Sequence, residues 1–220
     1  MRCVSLLSGG LDSVVATTVA AREGAVELAL TFDYGQRAAG AEVRAAAAAC
    51  RELGIPHRVI ELPWLAEVTT TVLVNRDAAL PELAADELDD AQVTEASAAA
   101  VWVPNRNGVF INIAAAFAES LACEAVVCGF NAEEGQTFAD NTPEFAAAAS
   151  EALAYSTMNH VRVVSPTQDL TKVQIVALGR RIGAPLQHIW SCYEPGPERC
   201  GKCESCLRSA RAMAAVNREL

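Results

Sequence analysis

The sequence predicts an α/β protein, a doubly wound open parallel sheet followed by a cysteine-rich helical segment at the C-terminus. Short apolar runs alternate with stretches of helical periodicity along most of the 220 residues, and right-handed crossovers turn that alternation into a parallel sheet with helices on both faces. A glycine turn joins the first strand to the first helix, and four cysteines crowd into the last segment. Aromatics are 5% of the chain within a 52% hydrophobic fraction. The apolar content is therefore mostly Ala, Val, Leu and Ile, which suits helices packed on a sheet better than an aromatic-rich barrel.

Taken in order, Arg2 to Leu7 (RCVSLL) is a β-rich run ending in Ser-Gly-Gly, and Asp12 to Arg22 carries helical periodicity with Ser and Asp at its start. Val26 to Phe32 is a second strand, Gln36 to Leu53 an Ala-rich helix closed by Gly54, and His57 to Leu62 a third strand. From Pro63 to about Ala100 the pattern weakens and acidic residues gather, which reads as an exposed, solvated insertion or a lid over the sheet edge. Regularity returns with a helix from about Asn107 to Ala122, a strand from Ala125 to Phe130, a helix beginning near Pro143 and a strand near Val161 to Val164. A helix from about Leu170 to Ile182, closed by Gly183, precedes the cysteine cluster and a terminal helix of about a dozen residues. These elements divide the chain into an α/β domain, 1–185, with 63–100 as its variable insertion or lid, and a four-cysteine segment, 186–220.

Charge disfavours nucleic acid as the main ligand. With 17 Lys+Arg against 27 Asp+Glu the formal net charge is −10, and a chain of that sign repels the phosphates of a nucleic acid. The N-terminus has neither a signal-peptide nor a transit-peptide pattern, so a cytoplasmic protein is expected. No window approaches the roughly 18 consecutive apolar residues of a membrane span.

Ser8-Gly9-Gly10-Leu11-Asp12-Ser13 lies between a buried strand and a helix start, so its N–H groups and hydroxyls converge on the positive end of the helix dipole. An anion belongs there. Gly9 and Gly10 let the backbone approach a phosphate closely, while Ser8 and Ser13 can donate from their hydroxyls. The turn lacks the spacing and the lysine of GxxxxGK[ST], so it is not a γ-phosphate cradle of that kind.

Cys192, Cys200, Cys203 and Cys206 have a C-x7-C-x2-C-x2-C spacing that brings four thiolates within reach of one tetrahedral ion, and zinc and an iron–sulfur cluster both suit such a set. With no open coordination position, a zinc ion there stabilises the segment and performs no Lewis-acid chemistry. Cys3, Cys50, Cys123 and Cys128 fall in strand or helix patterns and read as small buried hydrophobes. His57, His160 and His188 show no ligand spacing and read as structural or surface residues.

SGGLDS after the first strand resembles the SGGxDS signature of the PP-loop ATP pyrophosphatases, whose loop grips the pyrophosphate leaving when ATP is split between its α and β phosphates. Within that superfamily, DYGQR (Asp33 to Arg37), VPNRN (Val103 to Asn107), GFNAEE (Gly129 to Glu134), SPTQDLTKVQIVALG (Ser165 to Gly179) and the cysteine cluster are similar to the 7-cyano-7-deazaguanine synthase family. The resemblance implies an adenine nucleotide alpha hydrolase-like fold, structural zinc on Cys192, Cys200, Cys203 and Cys206, ATP with Mg²⁺, and a homodimer. It implies an ATP-dependent carbon–nitrogen ligase of queuosine or archaeosine precursor biosynthesis, in which 7-carboxy-7-deazaguanine and ammonia give the nitrile through adenylated intermediates. Its partners are these small molecules, with neither nucleic acid nor membrane.

The expected site follows residue by residue. Leu7, Ser8, Gly9, Gly10, Leu11, Asp12, Ser13 and Asp33 bind the nucleotide, with Asp12 either orienting Mg²⁺ or capping the helix. Tyr34, Gln36, Arg37, Asn131, Glu133 and Glu134 serve the substrate, either glutamate being a candidate for Mg²⁺. Lys172 and Arg106 join Asp12 as catalytic candidates, against the plainer readings of a solvated helix-start lysine and of a surface ion pair beside a helix cap. Ala38, where the family often carries histidine, and the stretch Gly135 to Phe145, which the resemblance implies faces the deazaguanine, depart from the common pattern. These departures keep open a related adenylating amidase or nitrile synthase acting on another carboxylate or protein. A tRNA-modifying adenylase also uses such a loop, but it needs a basic surface.

Overall fold

A computed structural model describes residues 1–218; Glu219 and Leu220, the last two residues of the expected C-terminal segment, lie outside the described residues. Five parallel strands form one sheet in the order β3-β2-β1-β4-β5. They are β1 (Arg2–Leu6), β2 (Ala25–Asp33), β3 (His57–Glu61), β4 (Ala125–Val127) and β5 (Arg162–Val164). The helices are α1 (Leu11–Glu23), α2 (Ala39–Leu53), α3 (Trp64–Glu67), α4 (Ala91–Val101), α5 (Arg106–Ser120), α6 (Pro143–Ser156), α7 (Lys172–Arg181) and α8 (Glu204–Arg218).

The period of two along each strand sorts side chains into two cores. Cys3, Ala125 and Val127 face a layer containing Val14, Ala46, Ile175 and Ala212, contributed by α1, α2, α7 and α8. Val4, Leu30 and Val126 face the opposite layer, where Ile111 and Ala114 of α5 and Leu153 of α6 pack. The four cysteines outside the cluster are buried and free. Because α8 inserts Ala212 and Val216 into the first layer, the cysteine segment is anchored on the sheet by apolar packing.

Element ends follow local chemistry. The α2 helix begins at Ala39, three residues later than expected, because Asp33 to Arg37 forms a turn in which Gly35 has φ +88° and Asp33 Oδ1 accepts from Gly35 N at 3.0 Å. The β4 ladder ends at Val127, so Gly129 and Phe130 leave the sheet toward the site. Thr171 and Gln174 form a reciprocal capping box that starts α7 at Lys172.

The region from Pro63 to Ala100 differs most from the expectation of a solvated loop. It holds the short α3 and the 11-residue α4. Asp90 caps α4 by accepting from Gln92 N at 2.9 Å and Val93 N at 3.3 Å, leaving Ala98 and Val101 buried. This segment is tied to the C-terminal one: Leu83 N donates to Lys202 O at 3.1 Å, and Arg211 pairs with Asp89 at 2.8 Å.

Candidate active site

A cavity of about 290 Å³ opens at the carboxyl ends of β1, β2 and β4. Neighbouring β1 and β4 are separated in sequence by β2 and β3, so the chain reverses its direction of travel across the sheet here, where ligands bind in open α/β folds. The SGGLDS turn forms one wall. Gly9 has φ +83°, and a Cβ there would lie 2.7 Å from Glu42 O, so glycine lets the turn pack on α2. Ser8 and Ser13 hydroxyls are 3.0 Å apart, and Gly10 N donates to Ser8 Oγ at 3.3 Å. A Cβ at Gly129 would lie 2.6 Å from Ser13 N; its absence lets the end of β4 touch the first turn of α1 and bring residues 131–134 beside the loop.

Across this junction the chain gathers Asp12, Glu134 and Lys172, far apart in sequence. Lys172 Nζ donates to Asp12 Oδ2 and to Glu134 Oε1, both at 2.5 Å, with only 9% of its side chain exposed. Two carboxylates share one ammonium, leaving the group one negative charge in excess. Burial pushes the Asp12 carboxyl up to about 6, with Lys172 opposing and Glu134 adding to the rise. Burial also disfavours the charge of Glu134, but Lys172 and Asn131 outweigh it and hold that carboxyl below its ordinary value. Burial works against the charge of Lys172 too, and the two carboxylates reverse it, so the ammonium is held well above its usual range. Asp12 Oδ1 is buried and has no hydrogen-bond partner, an arrangement that suits a cation or its bound water.

The remaining expected residues divide into those that reach the cavity and those that shape it. Leu7, Ser8, Gly10, Leu11, Ser13, Tyr34, Gln36 and Arg106 contribute to its lining. Arg106 donates to Tyr34 Oη at 3.2 Å. Gln36 is saturated by its own neighbourhood: its Oε1 accepts from Tyr34 N at 2.9 Å, and its Nε2 donates to Phe32 O at 3.0 Å and to Glu42 Oε2 at 2.8 Å. Asp33, Arg37, Asn131 and Glu133 lie behind the cavity wall. Arg37 straps the chain after α3, donating to Val72 O at 2.7 Å, Asn75 O at 2.6 Å and Ala78 O, and pairing with Glu194 at 3.2 Å. Asn131 Oδ1 accepts from Glu133 N and Glu134 N at 3.1 and 2.9 Å, which fixes Glu134. Glu133 accepts from Lys172 N at 2.7 Å, placing a carboxylate on the N-terminus of α7.

Sequence reasoning missed several lining residues: Glu42, Trp102, Trp190 and Ser191. Phe138 and Asp140, which also line the cavity, belong to the Gly135 to Phe145 stretch expected to face the substrate. For Trp190 and Ser191 the signal was their adjacency to Cys192. Trp190 N donates to Gly9 O at 2.8 Å and Ser191 Oγ accepts from Leu11 N at 3.4 Å, so the cysteine segment rests directly on the glycine turn. The Sγ atoms of Cys192, Cys200, Cys203 and Cys206 all lie within 4.8 Å of one another. Four sulfurs about 2.3 Å from a tetrahedral ion sit about 3.8 Å apart, and the Cys200–Cys206 separation is 3.9 Å. Backbone N–H groups of Glu194 and Cys200 point at Cys192 Sγ, and those of Lys202 and Cys203 at Cys200 Sγ, as suits thiolates. The cluster fits a metal ion.

The family model for queuosine biosynthesis protein QueC matches residues 2–217. A 7-cyano-7-deazaguanine synthase of Desulforamulus reducens is 57% identical over 220 residues, covering 100% of this chain and 96% of that protein. One of Pelotomaculum thermopropionicum is 54% identical over 100% of both. Among solved structures, an NMN synthetase from Francisella tularensis superimposes with a TM-score of 0.49 at 18% identity, covering 98% of this chain and 82% of that one.

Proposed function

The chain belongs to the QueC family of queuosine biosynthesis proteins, and from that membership we propose that it converts 7-carboxy-7-deazaguanine and ammonia to 7-cyano-7-deazaguanine, splitting ATP to AMP and pyrophosphate. The observation that carries the reading is the Lys172 ammonium held between Asp12 and Glu134 beside the SGGLDS turn. A carboxylate repels nucleophiles and lacks a leaving group. Attack of its oxygen on the α-phosphorus of ATP expels pyrophosphate and supplies AMP as that leaving group. Ammonia then adds to the carbonyl carbon, loses a proton and expels AMP, giving the amide. The amide oxygen attacks a second ATP, and departure of AMP with loss of the remaining N–H protons leaves the nitrile.

In this reading the protein contributes position and charge. The N–H groups of Gly9, Gly10 and Leu11 and the hydroxyls of Ser8 and Ser13 bind the outer phosphates, which requires the Ser8–Ser13 and Leu11–Ser191 contacts to yield to the ligand. Lys172 neutralises charge developing at the leaving pyrophosphate, and Arg106, which also lines the cavity, assists. Asp12, through its unpartnered Oδ1, would hold Mg²⁺, whose charge neutralisation screens the phosphates. Tyr34 faces the substrate, whereas Asp33, Gln36, Arg37, Asn131 and Glu133 hold the walls and the triad in place. Cys192, Cys200, Cys203 and Cys206 would hold zinc, which would supply folding energy and no chemistry to the reaction. The reading also carries a cytoplasmic homodimer, an implication of the family resemblance.

Incubation with the acid, ATP and ¹⁵N-ammonia, followed by mass spectrometry, tests the proposal. A nitrile bearing one ¹⁵N is expected; an acid returned unchanged with all three present refutes it.

A further inference from the structure

We propose that Trp102, Phe138 and Asp140 form the pocket that selects the guanine-like base, the two rings stacking on the flat bicycle while the Asp140 carboxylate accepts from its N1–H and 2-amino group. The inference rests on the functional reading above and names the residues that would recognise that substrate.

Trp102 follows the last turn of α4, and Phe138 precedes the short turn at 139–141; both line the cavity. Their ring planes are within 8° of parallel, with centroids 6.3 Å apart. Phe32 and Phe110, nearly parallel as well, approach to 4.1 Å. At the wider spacing Trp102 and Phe138 do not cover each other as that pair does, and 39% of Trp102 remains exposed. A large apolar ring left open at a cavity gains from a flat ligand that covers it.

Asp140 stands beside this pair on the cavity wall. Its Oδ1 accepts from Asn141 Nδ2 at 3.0 Å; its Oδ2 takes no hydrogen bond among the described residues. Each carboxylate oxygen has two lone pairs, so both remain able to accept. A guanine-type edge presents two adjacent, parallel N–H donors that match a carboxylate bidentately. Adenine presents an acceptor at N1 beside its amino donor, so the same carboxylate repels it. The proposed reaction brings two flat bicycles to one cavity, and Asp140 would keep the adenine of ATP out of the base pocket. In the substrate the 2-amino edge and the 7-carboxyl lie at opposite ends, so this grip leaves the carboxyl free for activation.

The test is calorimetric binding of 7-cyano-7-deazaguanine and of its analogue lacking the 2-amino group. Wild-type protein should prefer the amino compound roughly ten- to a hundredfold, the range for a hydrogen bond to a charged group. Asp140→Ala and the nearly isosteric Asp140→Asn should bring that preference within about threefold, with the KM for ATP unchanged; if the alanine variant fails to fold, the asparagine variant decides. Trp102→Ala should weaken both compounds equally. A preference that survives in Asp140→Asn, or a variant defect confined to the KM for ATP, overturns the assignment. Wild-type protein that makes nitrile while ignoring the 2-amino group refutes the pocket alone, whereas protein that neither binds nor forms the nitrile refutes the functional reading with it.

Discussion

Replacing Asp12 by Asn should make the protein more stable and inactive together. Asp12 is ionised at neutral pH in a buried group of two carboxylates and one ammonium, and its carboxyl is raised from 3.8 to about 6. At about 1.4 kcal/mol per pH unit, holding that charge costs the fold up to about 3 kcal/mol relative to the protonated form. Asparagine mimics the protonated form in shape and leaves Lys172 paired with Glu134 alone, a neutral couple. Because the folded-state value is raised, the contribution of Asp12 favours the fold fully below pH 3.8 and is lost as pH rises through about 6. Urea unfolding of metal-replete protein without Mg²⁺ should therefore give equal stability for wild type and Asp12→Asn near pH 3.8, a gap opening between there and pH 6, and a plateau above. Turnover of the variant should be undetectable. An Asp12→Asn protein less stable than wild type at pH 8 would mean that the attraction of Lys172 outweighs burial, and one with normal turnover would remove Asp12 from the site.

Lys172→Met leaves two buried carboxylates facing each other and should cost roughly 3–5 kcal/mol at pH 8. The deficit should shrink toward pH 5 as one carboxyl takes a proton, and urea unfolding at the two pH values checks it. Cys203→Ser should lose its metal by elemental analysis and melt roughly 10 °C below wild type; a variant that loses the ion yet melts normally would contradict a stabilising role for it.

The glycine turn was legible because its constraints are local: a strand, two glycines and a helix start within a dozen residues. The cysteine cluster was legible for the same reason, since three of its members lie within seven residues. What spacing cannot convey is the meeting of Lys172 with Asp12, 160 positions away, which depends on Gly129 letting β4 close against α1 and on Glu133 fixing the start of α7. Asp33, Arg37, Asn131 and Glu133 stand in motifs that read as ligand-facing, yet they lie behind the cavity wall, where each exchanges at least one hydrogen bond with a backbone group. The α4 helix was hidden by its acidic surroundings, although Asp90 before an Ala-rich run is a cap signal. Reading that stretch as a loop also hid Trp102, whose place at the cavity follows from the helix before it.

Chromatography of the nucleotides and phosphates released while the acid and ammonia are consumed tests the central claim most directly. The account predicts AMP and pyrophosphate, two of each per nitrile formed, and neither from Asp12→Asn. Release of ADP and inorganic phosphate, or nitrile formed with ATP intact, would contradict it.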